Sequence, residues 1–229
     1  MPETLQIGLL LFPRLTQLDL TGPYEVFARL PDTKVHLIWK SLDPVVSDVG
    51  LPIVPSVTFD TCPDLDVICI PGGPGMNDLL NDEPVLSFVR RQGEKAKYVT
   101  SVCTGALVLG AAGLLDGYKA ATHWASMELL TAFGAEPVRT RVCVDRNRIT
   151  GGGVTAGIDF GLALASELRG RKTAEKIQLY MEYDPEPPFQ AGSPDTAPPE
   201  VVSEFKTYVQ GMLSARREAV ARAATRLKG

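Results

Sequence analysis

Cys103 stands at the centre of Tyr98-Val99-Thr100-Ser101-Val102-Cys103-Thr104-Gly105-Ala106-Leu107-Val108-Leu109-Gly110. The β-branched residues Val99, Thr100 and Val102 predict a short buried strand. The small, apolar run from Ala106 to Ala112 predicts a helix. The thiol then sits at the turn between them. Unpaired backbone N–H groups and the positive end of the helix dipole favour thiolate there. A strand–nucleophile–helix turn also lifts the side chain out of the sheet into a crevice, and Gly105 leaves room for the tight reversal. The plain alternative is a buried structural cysteine, since free Cys is among the most buried residue types.

Two further segments bear on the choice. Ile7 to Phe12 is a continuous apolar run, the mark of a strand covered on both faces, and it ends at Pro13. Asp19 comes next, just before a helix expected from Pro23 through Tyr24, Val26, Phe27 and Leu30. It reads either as a helix cap or as a carboxylate beyond the end of the first strand, where open α/β sheets place ligands. Asp64 to Ile70 is another buried strand and runs into Pro71-Gly72-Gly73-Pro74-Gly75, whose backbone N–H groups can approach a ligand closely. No GxGxxG is present, so a dinucleotide fingerprint is not supported.

Composition narrows the class. A chain of 229 residues suffices for one sizeable core. A net charge of −4 gives no sign of a nucleic-acid surface. The apolar run at the first strand is too short to span a bilayer. Met1-Pro2-Glu3-Thr4 lacks the basic start of a signal peptide, so a cytoplasmic protein with reduced thiols is expected. The four cysteines form no CxxC pair, and the two histidines, His36 and His123, are too few for a His-rich site. No metal site is expected from them.

Along the chain, Val35 to Trp39 reads as a second strand and Val45 to Phe59 as a hairpin. A helix is expected over about Glu83 to Lys97. Ala120 to Trp124 reads as a short strand leading to a helix, Ala125 to Phe133. Arg141 to Asp145 and Arg148 to Thr150 form a hairpin. Gly151-Gly152-Gly153 then precedes a helix over Val154 to Leu168, and three glycines in a row suggest close packing against the Cys103 turn. Another helix runs from about Thr173 to Tyr183. Six of the sixteen residues from Asp184 to Pro199 are proline, which predicts an extended arm. Beyond it Val201, Phe205, Tyr208, Met212, Ala219, Ala223 and Leu227 make the stripe of one amphipathic helix.

These elements imply a mostly parallel central sheet with helices on both faces, flavodoxin-like in arrangement. Residues 1–183 form the α/β domain, and residues 184–229 form an arm and a helix packed on that domain or on a partner subunit. Asp19, Gly72-Gly73 and Cys103 all come after C-terminal ends of strands, and such ends gather in one crevice.

The strand-Pro-Gly-Gly, strand-Cys-Thr-Gly and Ala-Thr-His-Trp segments resemble the ThiJ/PfpI superfamily, whose fold is akin to class I glutamine amidotransferase domains. More narrowly, Gln17 to Pro23, Val35 to Lys40, Asp66 to Gly73, Thr100 to Gly105 and Ala191 to Pro198 are similar to the bacterial isocyanide hydratase family, nearly end to end. That resemblance implies cofactor-free conversion of an isocyanide to an N-substituted formamide by a homodimer. It implies that Cys103 is the nucleophile and Asp19 the carboxylate beside it, where many superfamily members have Glu. Thr104 stands where protease-like relatives carry His, which counts against a Cys-His dyad. Gly72 and Gly73 match the pocket's glycine pair, and Gly152 matches the loop facing it.

Three other readings compete. A glyoxalase-type or amidase-like enzyme would need His123 as base. A redox sensor would use oxidation of Cys103 to sulfinate. A transcription regulator would need more than one final helix.

Overall fold

The computed structural model describes residues 4–228. Strand β1 (Leu5–Leu10) leads to α1 (Gln17–Phe27), β2 (Thr33–Trp39), the hairpin β3 (Val45–Val46) and β4 (Pro52–Ile53), and then β5 (Val57–Thr58). Strand β6 (Val67–Ile70) is followed by α2 (Met76–Leu79) and α3 (Glu83–Lys95). Strand β7 (Tyr98–Val102) runs into α4 (Gly105–Ala111), and then come β8 (Lys119–Ala120), a 3₁₀ helix (Trp124–Phe133) and β9 (Glu136–Pro137). Strands β10 (Val142–Asp145) and β11 (Arg148–Gly151) precede α5 (Ala156–Arg169), α6 (Arg171–Tyr180), α7 (Pro199–Tyr208) and α8 (Gln210–Lys228).

The central sheet has seven strands in the order β10-β11-β7-β6-β1-β2-β5. Every pairing in it is parallel except β10 with β11. Its middle strands β6 and β7 are buried almost throughout, as continuous apolar runs require. From β1 the chain crosses toward β2, and from β6 toward β7, so the order reverses between β1 and β6. That is where an open α/β sheet offers a crevice at its strand ends.

Four expectations are corrected. Helix α1 starts at Gln17, so Asp19 lies within its first turn and Pro23 inside it. Gly22, Gly157 and Gly161 let α1 and α5 approach closely, with Pro23 facing Gly157, and this packing overrides proline's preference for the first turn. The residues Val45 to Phe59 give a hairpin and, in addition, a strand, β5, that joins the main sheet beside β2. The stretch Trp124–Phe133 is 3₁₀, not α, capped at its start by His123 and closed by Gly134 in the left-handed region. The last stretch is two helices, α7 and α8, broken at Val209. Helix α8 lies against α2, α4 and the 3₁₀ helix.

Candidate active site

Cys103 is the residue after β7 and has φ +54°. A non-glycine residue seldom adopts that value. Both of its backbone groups are tied: its N–H donates to Gly151 O at 3.1 Å, and its carbonyl accepts from the Thr122 hydroxyl at 2.7 Å. The turn is thereby clamped from β11 on one side and from the segment after β8 on the other. The carbonyl oxygen of Ile70 sits where a Cβ on Gly105 would be, so only glycine lets α4 start so close to β6. The side chain is 6% exposed, at the rim of the core.

Asp19 faces it from α1 and is fully buried. Its Oδ2 accepts from the Gly72 N–H at 2.9 Å. Its Oδ1 is buried with no fixed donor among the described residues, and its carboxyl interacts with the Cys103 thiol. Burial pushes Asp19 up to about 7, against the pull of the Gly72 N–H and Cys103; Asp48 adds a smaller push upward. Burial, and next the Asp19 charge, raise the Cys103 thiol well above its ordinary value. The Thr104 N–H and the Arg216 guanidinium pull it back down. The expected bias toward free thiolate is therefore corrected: desolvation and a neighbouring carboxylate outweigh the start of a short helix. The two groups titrate as a coupled pair.

Gly72 and Gly73 complete the crevice. A Cβ on Gly72 would lie 2.5 Å from Thr104 N, 2.6 Å from Thr104 Oγ1 and 2.8 Å from Asp19 Oδ2. Glycine here keeps a gap open between the carboxylate and the Thr104 amide. The Gly73 N–H is already committed to Thr104 Oγ1 at 3.1 Å. The Thr104 N–H, by contrast, acts on the Cys103 sulfur.

The structure thus brings Asp19, Gly72, Gly73, Cys103 and Thr104 together. Gly152 follows Gly151, whose carbonyl accepts from the Cys103 N–H; its own N–H is bonded to Arg141 O at 2.9 Å, and it lines an adjoining cleft of about 450 Å³. Thr122, His123, Trp124 and Val154 also line that cleft, and Ser193 and Asp195 of the arm reach it. An Arg139–Asp195 ion pair at 2.9 Å ties the arm across it. The volume is that of a small-molecule site. His123 Nδ1 accepts from the Ala125 N–H at 3.3 Å. Burial, aided by the Arg216 charge, lowers the imidazole to about 4. It is therefore neutral near pH 7, with its acceptor nitrogen occupied, and poorly suited to act as a base.

Two contributors lie outside the residues that the motifs single out. Thr122 carries no signal beyond a hydroxyl near His123. Arg216 does carry one: it falls between Met212 and Ala219 at helical spacing, a cation on an otherwise apolar face. Among the described residues, no three His, Cys, Asp or Glu side chains gather to hold a metal ion, and no helix is long and apolar enough to cross a membrane.

Residues 6–167 match the DJ-1/PfpI family. The chain belongs to the DJ-1/PfpI family. It is 58% identical over 97% of its length to an isonitrile hydratase from Pseudomonas putida, of which it spans 98%. A crystal structure of a ThiJ/PfpI family protein from Pseudomonas syringae superposes with a TM-score of 0.92 at 49% identity, over 98% of this chain and 91% of that one. A helix-turn-helix transcriptional regulator from Pseudomonas aeruginosa, GbdR, is 31% identical over 78% of this chain but only half of its own length. The crevice after β1, β6 and β7, where Asp19, Gly72 and Cys103 meet, is this chain's candidate centre of chemistry.

Proposed function

We propose that the chain hydrates an isocyanide to an N-substituted formamide, with Cys103 as nucleophile and Asp19 as acid and base. The near full-length similarity to an isonitrile hydratase supports the reaction class. The observation that carries the mechanism is the buried Asp19 carboxyl, open on one oxygen and coupled to a thiol held on a strained turn. Such a pair holds a shared proton close to a nucleophile, as addition of both to the terminal carbon of an isocyanide requires.

The terminal carbon of an isocyanide accepts a nucleophile and must gain a proton as it does so. The Cys103 sulfur forms the S–C bond while the proton shared with Asp19 passes to that carbon, leaving a thioimidate, Cys–S–CH=N–R. Asp19, now a carboxylate, takes a proton from water as the oxygen adds to the same carbon, and the nitrogen gains that proton through Asp19. The S–C bond then breaks, the hydroxyl proton returns to the thiolate–carboxylate pair, and HC(=O)–NH–R leaves. One water is consumed and the thiol is restored. The Thr104 N–H steadies the charge on sulfur as it attacks and as it departs.

Thr104 and the neutral His123 favour this reading over hydrolysis through a Cys-His dyad. We also read the working form as a homodimer in the cytoplasm. Phe189 and Tyr208 of the arm and α7 are 76% and 87% exposed, surfaces that a second copy would cover, and all four cysteines are unpaired. The test is ultraviolet-monitored turnover of an aryl isocyanide, with methylglyoxal assayed in parallel. Formamide production is expected. Turnover of the aldehyde alone would replace the reading with the glyoxalase-type one.

A further inference from the structure

Arg216 is 3% exposed and lies on the inner face of α8, in a row with Leu213, Ala219, Val220 and Ala223. Every hydrogen bond that anchors it goes to a neutral group. Nε donates to Asn77 Oδ1 at 3.0 Å, Nη1 to Ser126 Oγ at 2.8 Å, and Nη2 points to Met212 Sδ at 3.7 Å. It takes part in none of the ion pairs among the described residues. A buried guanidinium without a carboxylate is costly and rare.

The anchors of Arg216 lead to the Cys103 turn: Ser126 follows Thr122, whose hydroxyl holds the Cys103 carbonyl at 2.7 Å, by four residues, and α8 packs on α4, which begins two residues past Cys103. Cys103 is the acidic group whose charge acts on Arg216, and the Arg216 charge in turn favours the Cys103 thiolate and disfavours a protonated His123. From the 3₁₀ helix side, His123 is neutral, and Glu128 faces solvent. Asp78 of α2 is turned outward to Arg14. Arg217 and Glu218 of α8 are exposed. Asp19, from α1, is the other charged side chain that acts on the thiol. The family match ends at residue 167, so this cation enters the site from outside the part of the chain matched to the family.

We propose that Arg216 is a positioning residue of the reaction, an uncompensated cation that α8 holds in the core to stabilise the anionic sulfur of Cys103 as it attacks and as it leaves. Its neutral anchors are part of the device. Asn77 and Ser126 fix the guanidinium without neutralising it, so its field remains available to the anionic sulfur that forms during turnover. The proposal rests on the nucleophilic reading of Cys103.

Three variants test it: Arg216→Met, Arg216→Lys and Asn77→Asp. The last puts a carboxylate against Nε, neutralising the cation in place while giving the fold an ion pair. Two readouts are taken. One is the pH profile of Cys103 alkylation by iodoacetamide, followed by peptide mass; the other is kcat and KM for an aryl isocyanide. Arg216→Met and Asn77→Asp should move the alkylation midpoint up by about one pH unit and lower kcat about tenfold or more, with KM little changed. Arg216→Lys should retain much of the wild-type profile. Asn77→Asp should unfold at or above the wild-type temperature, so its loss of rate is not a loss of fold. It decides the matter alone if Arg216→Met does not fold. Alkylation profiles of Asn77→Asp and wild type that superimpose would overturn the proposal. If Cys103→Ala still hydrates the isocyanide, the nucleophile assignment falls instead, and the alkylation profile still reports whether Arg216 governs the thiol.

Discussion

Cys69 and Cys103 belong to adjacent strands of one sheet and the turn beyond, and they differ in almost everything that matters to a thiol. Cys69 lies within β6, fully buried, paired on both sides by β1 and β7. Burial pushes it up to about 12, and no cation among the described residues pulls it back. Cys103 lies one residue past β7, on a positive φ, with an amide, a guanidinium and a proton-sharing carboxyl around it. Burial raises both thiols. The difference is that Cys103 has an amide and a guanidinium to hold the charge that burial penalises, where Cys69 has the Thr100 hydroxyl. Reactivity here belongs to the turn and its neighbours, not to the residue type.

The widest separation between the two is expected from truncation. Cys103→Ala should lower isocyanide turnover by at least about a thousandfold, whereas Cys69→Ala should leave turnover unchanged and cost about 1–2 kcal/mol in urea unfolding. Equal losses of turnover would erase the distinction.

Asp19→Asn sharpens the comparison by removing the proton partner while an amide oxygen can still accept from Gly72. Its kcat should fall on the order of a hundredfold, with KM little altered. It also carries a sign in pH. Folding raises Asp19 from 3.8 to about 7, so the folded chain binds more protons than the unfolded chain between those values. The stability that this group contributes is complete below about pH 4 and is lost as pH rises through 7. Relative to wild type, Asp19→Asn should gain stability across that window, by a few kcal/mol at most. Chemical denaturation at pH 5 and pH 8 measures it, and a difference that shrinks with pH would refute the assignment.

Gly72→Ala pushes a methyl into the gap between Asp19 and Thr104. Turnover should drop about tenfold or more, with a stability loss of about 1–3 kcal/mol. The smallest effect is expected at His123. Because its imidazole is neutral down to about pH 4, His123→Asn should leave the limbs of the pH–rate profile where they are. A limb that disappears would restore His123 as a base.

Much of this site is legible in the sequence because each chemical residue comes after a strand whose burial pattern is unambiguous. Val99, Thr100 and Val102 are β-branched and Val67 to Ile70 is an apolar run, and the residues just beyond each strand must lie at one edge of a parallel sheet. The start of α1 is less legible, since Gly22-Pro23 looks like a helix beginning until the packing of α1 on α5 is seen. The state of Cys103 is not legible at all. It depends on how deeply the turn is buried and on which carboxylate lies opposite, and both are tertiary facts. Arg216 shows the same limit from the other side. Its place in an apolar stripe marks it as unusual, but its role needs the return of α8 to a crevice more than a hundred residues earlier in the chain.

The most direct test of the account is to quench the enzyme with acid during steady-state turnover of an aryl isocyanide and map the modified peptide by mass spectrometry. A mass increase equal to one isocyanide, on Cys103 and absent from Cys69, Cys62 and Cys143, is the expected result. Full turnover with no adduct on Cys103 at any quench time, together with activity in Cys103→Ala, would contradict it.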